Sequence, residues 1–234
     1  ASLPLVHQPG EKWTYSIGMD ILGCVIERAS GVTFGTFLEE NIFGPLGMTD
    51  TFFEVPESKQ DRMIDLYGHK KSFKEFGVEL PKNLGDKKLI LLDPKEDSFF
   101  FQEASIEDGG SGLVSTARDY LKFAKMLLNE GSLKGTTILR PETVKIMTSN
   151  QVEKKAKPNR FDAFGQGVTV GIALNAKKMR MQRGNNSFFW GGAARTMFWV
   201  DPKNDLIFVN MSQVLGSPRI NNKVEKLVYK TLGL

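Results

Sequence analysis

Cysteine and histidine are nearly missing from this chain, and the shortage removes several kinds of chemistry at once. Cys24 is the only cysteine among 234 residues, so no internal disulfide forms. His7 and His69 are the only imidazoles. One thiol and two imidazoles are a poor basis for a structural zinc site, which takes four nitrogen and sulfur ligands. Cys24 lies on the apolar side of a helical repeat and reads as a small core residue rather than a nucleophile. Long apolar runs are missing too: nothing approaches the ~20 residues that cross a bilayer, and no signal peptide opens the chain. No excess of one charge stands out, with 31 Lys and Arg against 27 Asp and Glu. The densest basic runs, Lys154-Lys155-Ala156-Lys157 and Lys177-Lys178-Met179-Arg180, lack the interleaved aromatics of a single-strand binder. They read as solvated loops or hairpin tips, and no nucleic-acid partner is expected. Two familiar signatures fail. Gly110-Ser111-Gly112 is one residue out of register for a G-x-S-x-G elbow, and no glycine cluster ends in G-K-[ST].

What is present is a clear change of period along the chain. Ile17, Ile21, Leu22, Val25, Ile26 and Ala29 recur at helical spacing, with Gly31 as the stop. A second helix is expected from about Thr33 to Ile42, burying Phe34, Phe37 and Leu38, and broken by Gly44-Pro45-Leu46-Gly47. From about Phe52 to Ser105 the pattern dissolves, which predicts an irregular excursion of the lid or binding-wall type. Its apolar pieces, Leu89–Leu92 and Phe99–Phe101, pin it to the core or line a pocket. Thr116 and Asp119 form a capping box for a helix ended by Gly131, and Pro141 opens a helix reaching Met147. The last third reads as strands: Gly165–Ala173, Ser187–Trp190, Thr196–Val200 and Leu206–Met211, the last two joined by the Asp201–Asp205 turn. A closing amphipathic helix is expected from Pro218 to Leu232, with Ile220, Val224, Leu227 and Val228 on its apolar side. The fold class that follows is α+β, helices packed on an antiparallel sheet.

Tyr15, Ser16, the glycines around Ser111, and Trp190-Gly191-Gly192 are left without a structural reason. The blocks that hold them carry a resemblance. Pro9 to Gly23 (PGEKWTYSIGMDILG), Gly44 to Thr51 (GPLGMTDT), Gly109 to Asp119 (GGSGLVSTARD), Leu139 to Gln151 (LRPETVKIMTSNQ) and Trp190 to Pro202 (WGGAARTMFWVDP) together resemble the serine β-lactamase-related family. That family comprises class C β-lactamases, DD-peptidases, and a branch of esterases and acyltransferases. The resemblance implies a β-lactamase/transpeptidase-like fold and an active site of three motifs. A serine in S-x-x-K is acylated, the lysine and a tyrosine move protons, and a strand motif closes the pocket. Tyr15 matches that tyrosine. A phenol ionises near pH ~10, so base work at neutral pH takes a cationic neighbour, which the family supplies as the S-x-x-K lysine. Trp190-Gly191-Gly192 matches the strand motif, and the N–H of Ala193 is expected to form half of an oxyanion hole.

Two departures bear on the substrate. Ile17 stands where β-lactamases have an asparagine amide, and Trp190 where they have a lysine that grips a carboxylate. The resemblance therefore implies a small-molecule ester or amide substrate, with esters favoured over β-lactams. Arg195 stands where a small residue is expected and reaches either the pocket mouth or solvent. No metal or organic cofactor is implied.

A third departure concerns the nucleophile: no Ser or Thr in the chain is followed three residues later by Lys. The chain opens on Ala1, and the resemblance places S-x-x-K upstream, in an N-terminal segment or a separate chain on the order of 100–150 residues. Residues 1–234 are then the C-terminal part of one domain. Its helical part runs over about 11–150, with the excursion at 52–105, and its sheet and closing helix over about 160–234. Such a portion exposes helix surface and sheet edge. A β-lactamase or D-amino-acid peptidase, and a non-catalytic binding protein or inactive fragment on the same fold, stay open as alternatives.

Overall fold

The computed structural model describes residues 4–69, 89–153, 156, 162–216 and 222–234. The first helix, α1 (Gly18–Ser30), ends where Gly31 takes φ 79° and returns its N–H to the Glu27 carbonyl at 2.9 Å. The side chain of Thr33 caps α2 (Phe34–Leu38), accepting from the Thr36 N–H.

Gly44-Pro45 does not break this second helix. A π turn (Glu39–Phe43) passes the chain into α3 (Gly44–Leu46), and the stop falls at Gly47, φ 65°. Proline has no N–H to give the preceding turn, and its ring crowds the carbonyl four residues back. Widening that turn by one residue absorbs both problems. Gly44 suits the place, because a Cβ there would sit 2.9 Å from the Glu39 carbonyl oxygen.

The excursion holds more regular structure than its composition suggests. β1 (Leu66–His69) pairs antiparallel with β2 (Leu89–Asp93), and residues 70–88 between them lie outside the described set. On its other side β1 pairs in parallel with β10 (Val214–Leu215), far along the chain. Pairing across such separations leaves no local period to read. Short 3₁₀ turns at Glu57–Arg62, Lys95–Asp97 and Phe99–Phe101 complete the segment.

Half of the expected capping box forms at α4 (Ala117–Leu128). Thr116 accepts from the Asp119 N–H at 3.2 Å. The Asp119 carboxylate instead turns inward, where it is 1% exposed. It accepts from the Asp50 N–H at 2.6 Å and Lys122 Nζ at 2.7 Å, tying α4 to the end of the first helical block. A short ribbon of β3 (Ser132–Leu133) and β4 (Thr136–Thr137) leads to α5 (Pro141–Met147), opened by its proline as expected.

The main sheet is fully antiparallel in the order β5-β6-β7-β8-β9. The run expected as one strand is two, β5 (Phe164–Gln166) and β6 (Gly171–Ala173). The chain reverses between them, the Gly167 N–H meeting the Val170 carbonyl at 2.7 Å. β7 (Phe188–Gly191), β8 (Met197–Asp201) and β9 (Leu206–Asn210) match their expected positions, with the Asp201–Asp205 turn joining the last two. Lys177-Lys178-Met179-Arg180 lies in the turns of the β6–β7 connection, largely exposed as expected, while of the other basic run only Ala156 is described.

β8 is buried on both faces because each face has its own cover. Phe198 and Val200 join Ile172 and Phe188 in the core with Ala124, Met126 and Leu127 of α4 and Val144 of α5. The alternate residues, Trp199 and Asp201, are buried beside α6 (Asn222–Leu232), whose Tyr229 donates to Asp201 at 2.7 Å. The buried face of α6 includes Glu225 and Tyr229, whereas Leu227 is exposed; 217–221, including Pro218 and Ile220, lie outside the described set.

Cys24 is exposed rather than buried. α1 meets the core through Gly23 and Ile26, and Ile21, Leu22 and Val25 stay exposed with Cys24. The periodicity marks an apolar face correctly, but nothing among the described residues covers it.

Candidate active site

Two segments far apart in sequence meet at the ring of Tyr15. The first is the loop entering α1. Its backbone is anchored by the Trp13 N–H on the Ala156 carbonyl at 2.9 Å and by a His7–Thr14 side-chain hydrogen bond at 2.8 Å. The second is the end of β7. The Tyr15 and Trp190 rings lie 6.3 Å apart between centroids and only 12° from parallel. Trp190 packs against the core from the strand, while Tyr15 is 74% exposed. One side of the tyrosine is thus fixed by a rigid aromatic wall, and its hydroxyl makes no hydrogen bond among the described residues.

Beyond Trp190 the strand turns sharply. Gly191 pairs with Met197, and the Gly192 N–H donates to the Thr196 carbonyl at 2.8 Å. Arg195 N–H closes on the Gly192 carbonyl at 3.1 Å. This is a three-residue hairpin loop, Ala193-Ala194-Arg195, with Arg195 at φ 66° in the left-handed position such loops require. Among the described residues the Ala193 N–H has no hydrogen-bond partner, and Gly191, Gly192 and Ala193 are exposed. A Cβ on Gly192 would fall well inside contact with Thr196 Oγ1. Gly192→Ala is therefore expected to lower stability by about 1–3 kcal/mol, read as a drop in Tm. An unchanged Tm would mean that Thr196 simply rotates away.

Ile17, two residues after Tyr15, stands at the N-cap of α1, is 69% exposed, and offers no side-chain hydrogen bond. Arg195 is half-buried, and its Nε donates to the Gly216 carbonyl.

The glycine-rich block braces the start of α1. Gly109 and Gly110 lie against the Met19 carbonyl and the Asp20 carboxyl so closely that a Cβ at either place would collide. The Asp108 carboxylate accepts from the Gly110 N–H and the Ser111 hydroxyl, each at 2.6 Å. Asp20 and Asp108 face one another. Asp20 is raised above its ordinary value by the hydrogen bond with Asp108, by burial and by the like charge, against the Gly110 N–H. Asp108 is held at about 2, chiefly by hydrogen bonds from Asp20 and Ser111. Asp20 Oδ1 is shielded from water. Ser111 is thus engaged as a turn hydroxyl.

Two cavities lie elsewhere. One of about 720 Å³ is rimmed by Lys177, Arg180, Lys203 and Lys226, at the end of the sheet remote from Trp190. The other, about 490 Å³, is bordered by Cys24, Glu27 and Glu107. Neither is lined by Tyr15 or Trp190.

The β-lactamase family model matches residues 1–231. This chain belongs to the β-lactamase family. Among curated family relatives, Protein Rv1367c of Mycobacterium tuberculosis is 30% identical over all of this chain and 61% of its own length. A lovastatin esterase of Penicillium rubens is 28% identical over 91% of the chain and 53% of its own length. Among solved structures, simvastatin synthase from Aspergillus terreus (the LovD6 mutant) superposes with a TM-score of 0.78 at 25% identity, covering 99% of this chain and 58% of that one. EstCE1, a hydrolase with promiscuous acyltransferase activity, shares the fold at a TM-score of 0.74 and 22% identity, covering 96% of this chain and 57% of that one. The chain therefore spans between half and two thirds of the length of these relatives.

Proposed function

We propose that the complete protein hydrolyses carboxylic esters, or passes their acyl group to an alcohol, through an acyl-serine intermediate. The observation that carries the reading is the placing of Tyr15 against Trp190, one strand end away from the Ala193 N–H, which has no partner among the described residues. In this mechanism the serine and lysine of S-x-x-K come from a segment upstream of Ala1. The tyrosine oxygen and the lysine take the serine proton as its oxygen attacks the ester carbonyl. The tetrahedral oxyanion is received by the Ala193 N–H and by the N–H of the serine itself. Collapse expels the alcohol, which recovers the proton, and water or a second alcohol then releases the acyl group by the same steps in reverse.

The substrate class follows from the side chains at the site. Trp190 and Ile17 present apolar surface where a cation and an amide would grip a β-lactam or peptide. The relatives' names agree, since a lovastatin esterase and a monacolin J acid methylbutanoyltransferase both handle acyl esters. The upstream segment also gives the exposed face of α1 something to pack against, and residues 1–234 are then the C-terminal part of one domain.

The test compares p-nitrophenyl butyrate with nitrocefin on the complete protein. Ester turnover with little or no nitrocefin turnover is expected. Nitrocefin turnover without ester hydrolysis would sink the ester reading in favour of a β-lactamase. Neither activity, with the protein folded, would identify a non-catalytic member.

A further inference from the structure

We infer that Asn210 and Ser212 are positioning residues for the oxyanion turn, holding the Arg195 carbonyl and thereby aiming the Ala193 N–H. This rests on the acyl-serine reading above. The turn contains an anomaly that needs an explanation. Arg195 occupies the left-handed position at φ 66°, where glycine or asparagine is the usual choice and another L-residue costs about 1–2 kcal/mol. Such a conformation persists only when its surroundings over-determine it.

The surroundings here are the last residue of β9 and the segment after it. The Arg195 carbonyl accepts from Asn210 Nδ2 at 2.9 Å and from Ser212 Oγ at 2.8 Å. Asn210 Nδ2 also donates to Ser212 Oγ at 3.0 Å, and Ser212 Oγ lies within 3.3 Å of the Ala194 carbonyl as well. The Ala194 carbonyl accepts from the Val214 N–H at 3.1 Å, and the Arg195 side chain closes on Gly216. Two successive peptide planes of a three-residue loop are therefore fixed from outside it. The plane between Gly192 and Ala193 carries the N–H proposed to meet the oxyanion, and it is held through the loop itself: the Arg195 N–H, part of the plane fixed at the Ala194 carbonyl, donates to the Gly192 carbonyl at 3.1 Å.

Stability alone is a poor reason for this arrangement. Asn210 ends a strand that otherwise reads Leu-Ile-Phe-Val, in register with Met197, and its amide serves a half-buried loop rather than the core. The segment it begins continues into β10, which pairs with Tyr67 and Gly68 of β1. The turn is thus also hitched to the excursion sheet.

The test uses the complete protein with Asn210→Leu and Ser212→Ala combined, and Ser212→Thr as the variant that keeps the hydroxyl. The double variant is expected to lose about ten- to a hundredfold in kcat on p-nitrophenyl butyrate. KM should stay within about twofold, the pattern of an interaction made only in the transition state. Affinity for butylboronic acid, whose serine adduct is tetrahedral and anionic, should fall in parallel, and Ser212→Thr should stay near wild type. Amide hydrogen exchange at Gly192 and Arg195 should accelerate in the double variant by more than the accompanying fall in Tm accounts for. Unchanged kcat, or a kcat loss without a loss of boronate affinity, overturns the positioning role. If the wild type neither hydrolyses esters nor binds boronate, the ester reading fails. Exchange at the two amides then still decides whether the clamp exists, and unchanged exchange overturns it.

Discussion

Tyr15→Phe in the complete protein is expected to lower kcat for p-nitrophenyl butyrate by roughly 10²–10⁴-fold, the range that general acid–base groups contribute. The substitution removes one oxygen and nothing that the fold uses. The hydroxyl has no hydrogen-bond partner among the described residues, and the ring's stacking on Trp190 is kept by phenylalanine. Tm should therefore stay within about a degree or two, since surface changes of this kind are worth under ~0.5 kcal/mol. Near-normal turnover would make Tyr15 a packing residue and move the proton work to another group. A large fall in Tm would mean that the hydroxyl is held by a group outside the described residues.

Glu225→Ala should give the largest loss of stability, about 3–5 kcal/mol, because it strands a buried charge. The carboxylate accepts from Arg183 Nε at 3.1 Å and Nη2 at 2.8 Å, and from the N–H groups of Gln182 and Arg183 at 2.7 and 3.1 Å. The side chains of Arg183 and Glu225 are 4% and 3% exposed, so water cannot replace what is lost. Among the described residues the guanidinium would keep only the faces of Trp199 and Phe189, at 4.6 and 4.9 Å from the ring centres. A loss below ~1 kcal/mol would show that those faces suffice.

The same pair predicts the response to acid. Burial pushes the Glu225 carboxyl up, but the hydrogen bonds and charge of Arg183 bring it below its ordinary 4.5. Asp201 is likewise held below 3.8, against burial, by Tyr229, Asn204 and the Gly184 and Lys203 N–H groups. A carboxyl depressed in the folded state stabilises it above the unfolded pKa and ceases to do so as pH falls through the folded one. Tm should be flat above about pH 5 and fall below about pH 4, with a shallower fall in Glu225→Ala.

Much of the helical framework was legible because its signals are local. Gly31, Thr116 and Pro141 act within a turn of their own positions, and the Asp201–Asp205 turn joins two strands whose residues are neighbours in the chain. Tyr15 and Trp190 could be picked out by the motifs around them, though the 6.3 Å between their rings belongs to the tertiary structure. Readings failed where distant chain decides. Cys24 lies on an apolar stripe, but burial depends on what packs there, and nothing described does. The β1–β2–β10 sheet joins segments too far apart for any periodicity to register. Asn210 and Ser212 look like the polar end of a strand and show their purpose only when the Arg195 carbonyl is placed beside them.

The sequence by itself determined the family, the α+β class and the identity of the candidate site residues, because motifs and repeats are written in neighbouring positions. The tertiary structure alone decided how those residues face one another, which apolar faces are covered, and what holds the Ala193 turn, because hydrogen bonds and burial depend on distances in space that chain order does not encode.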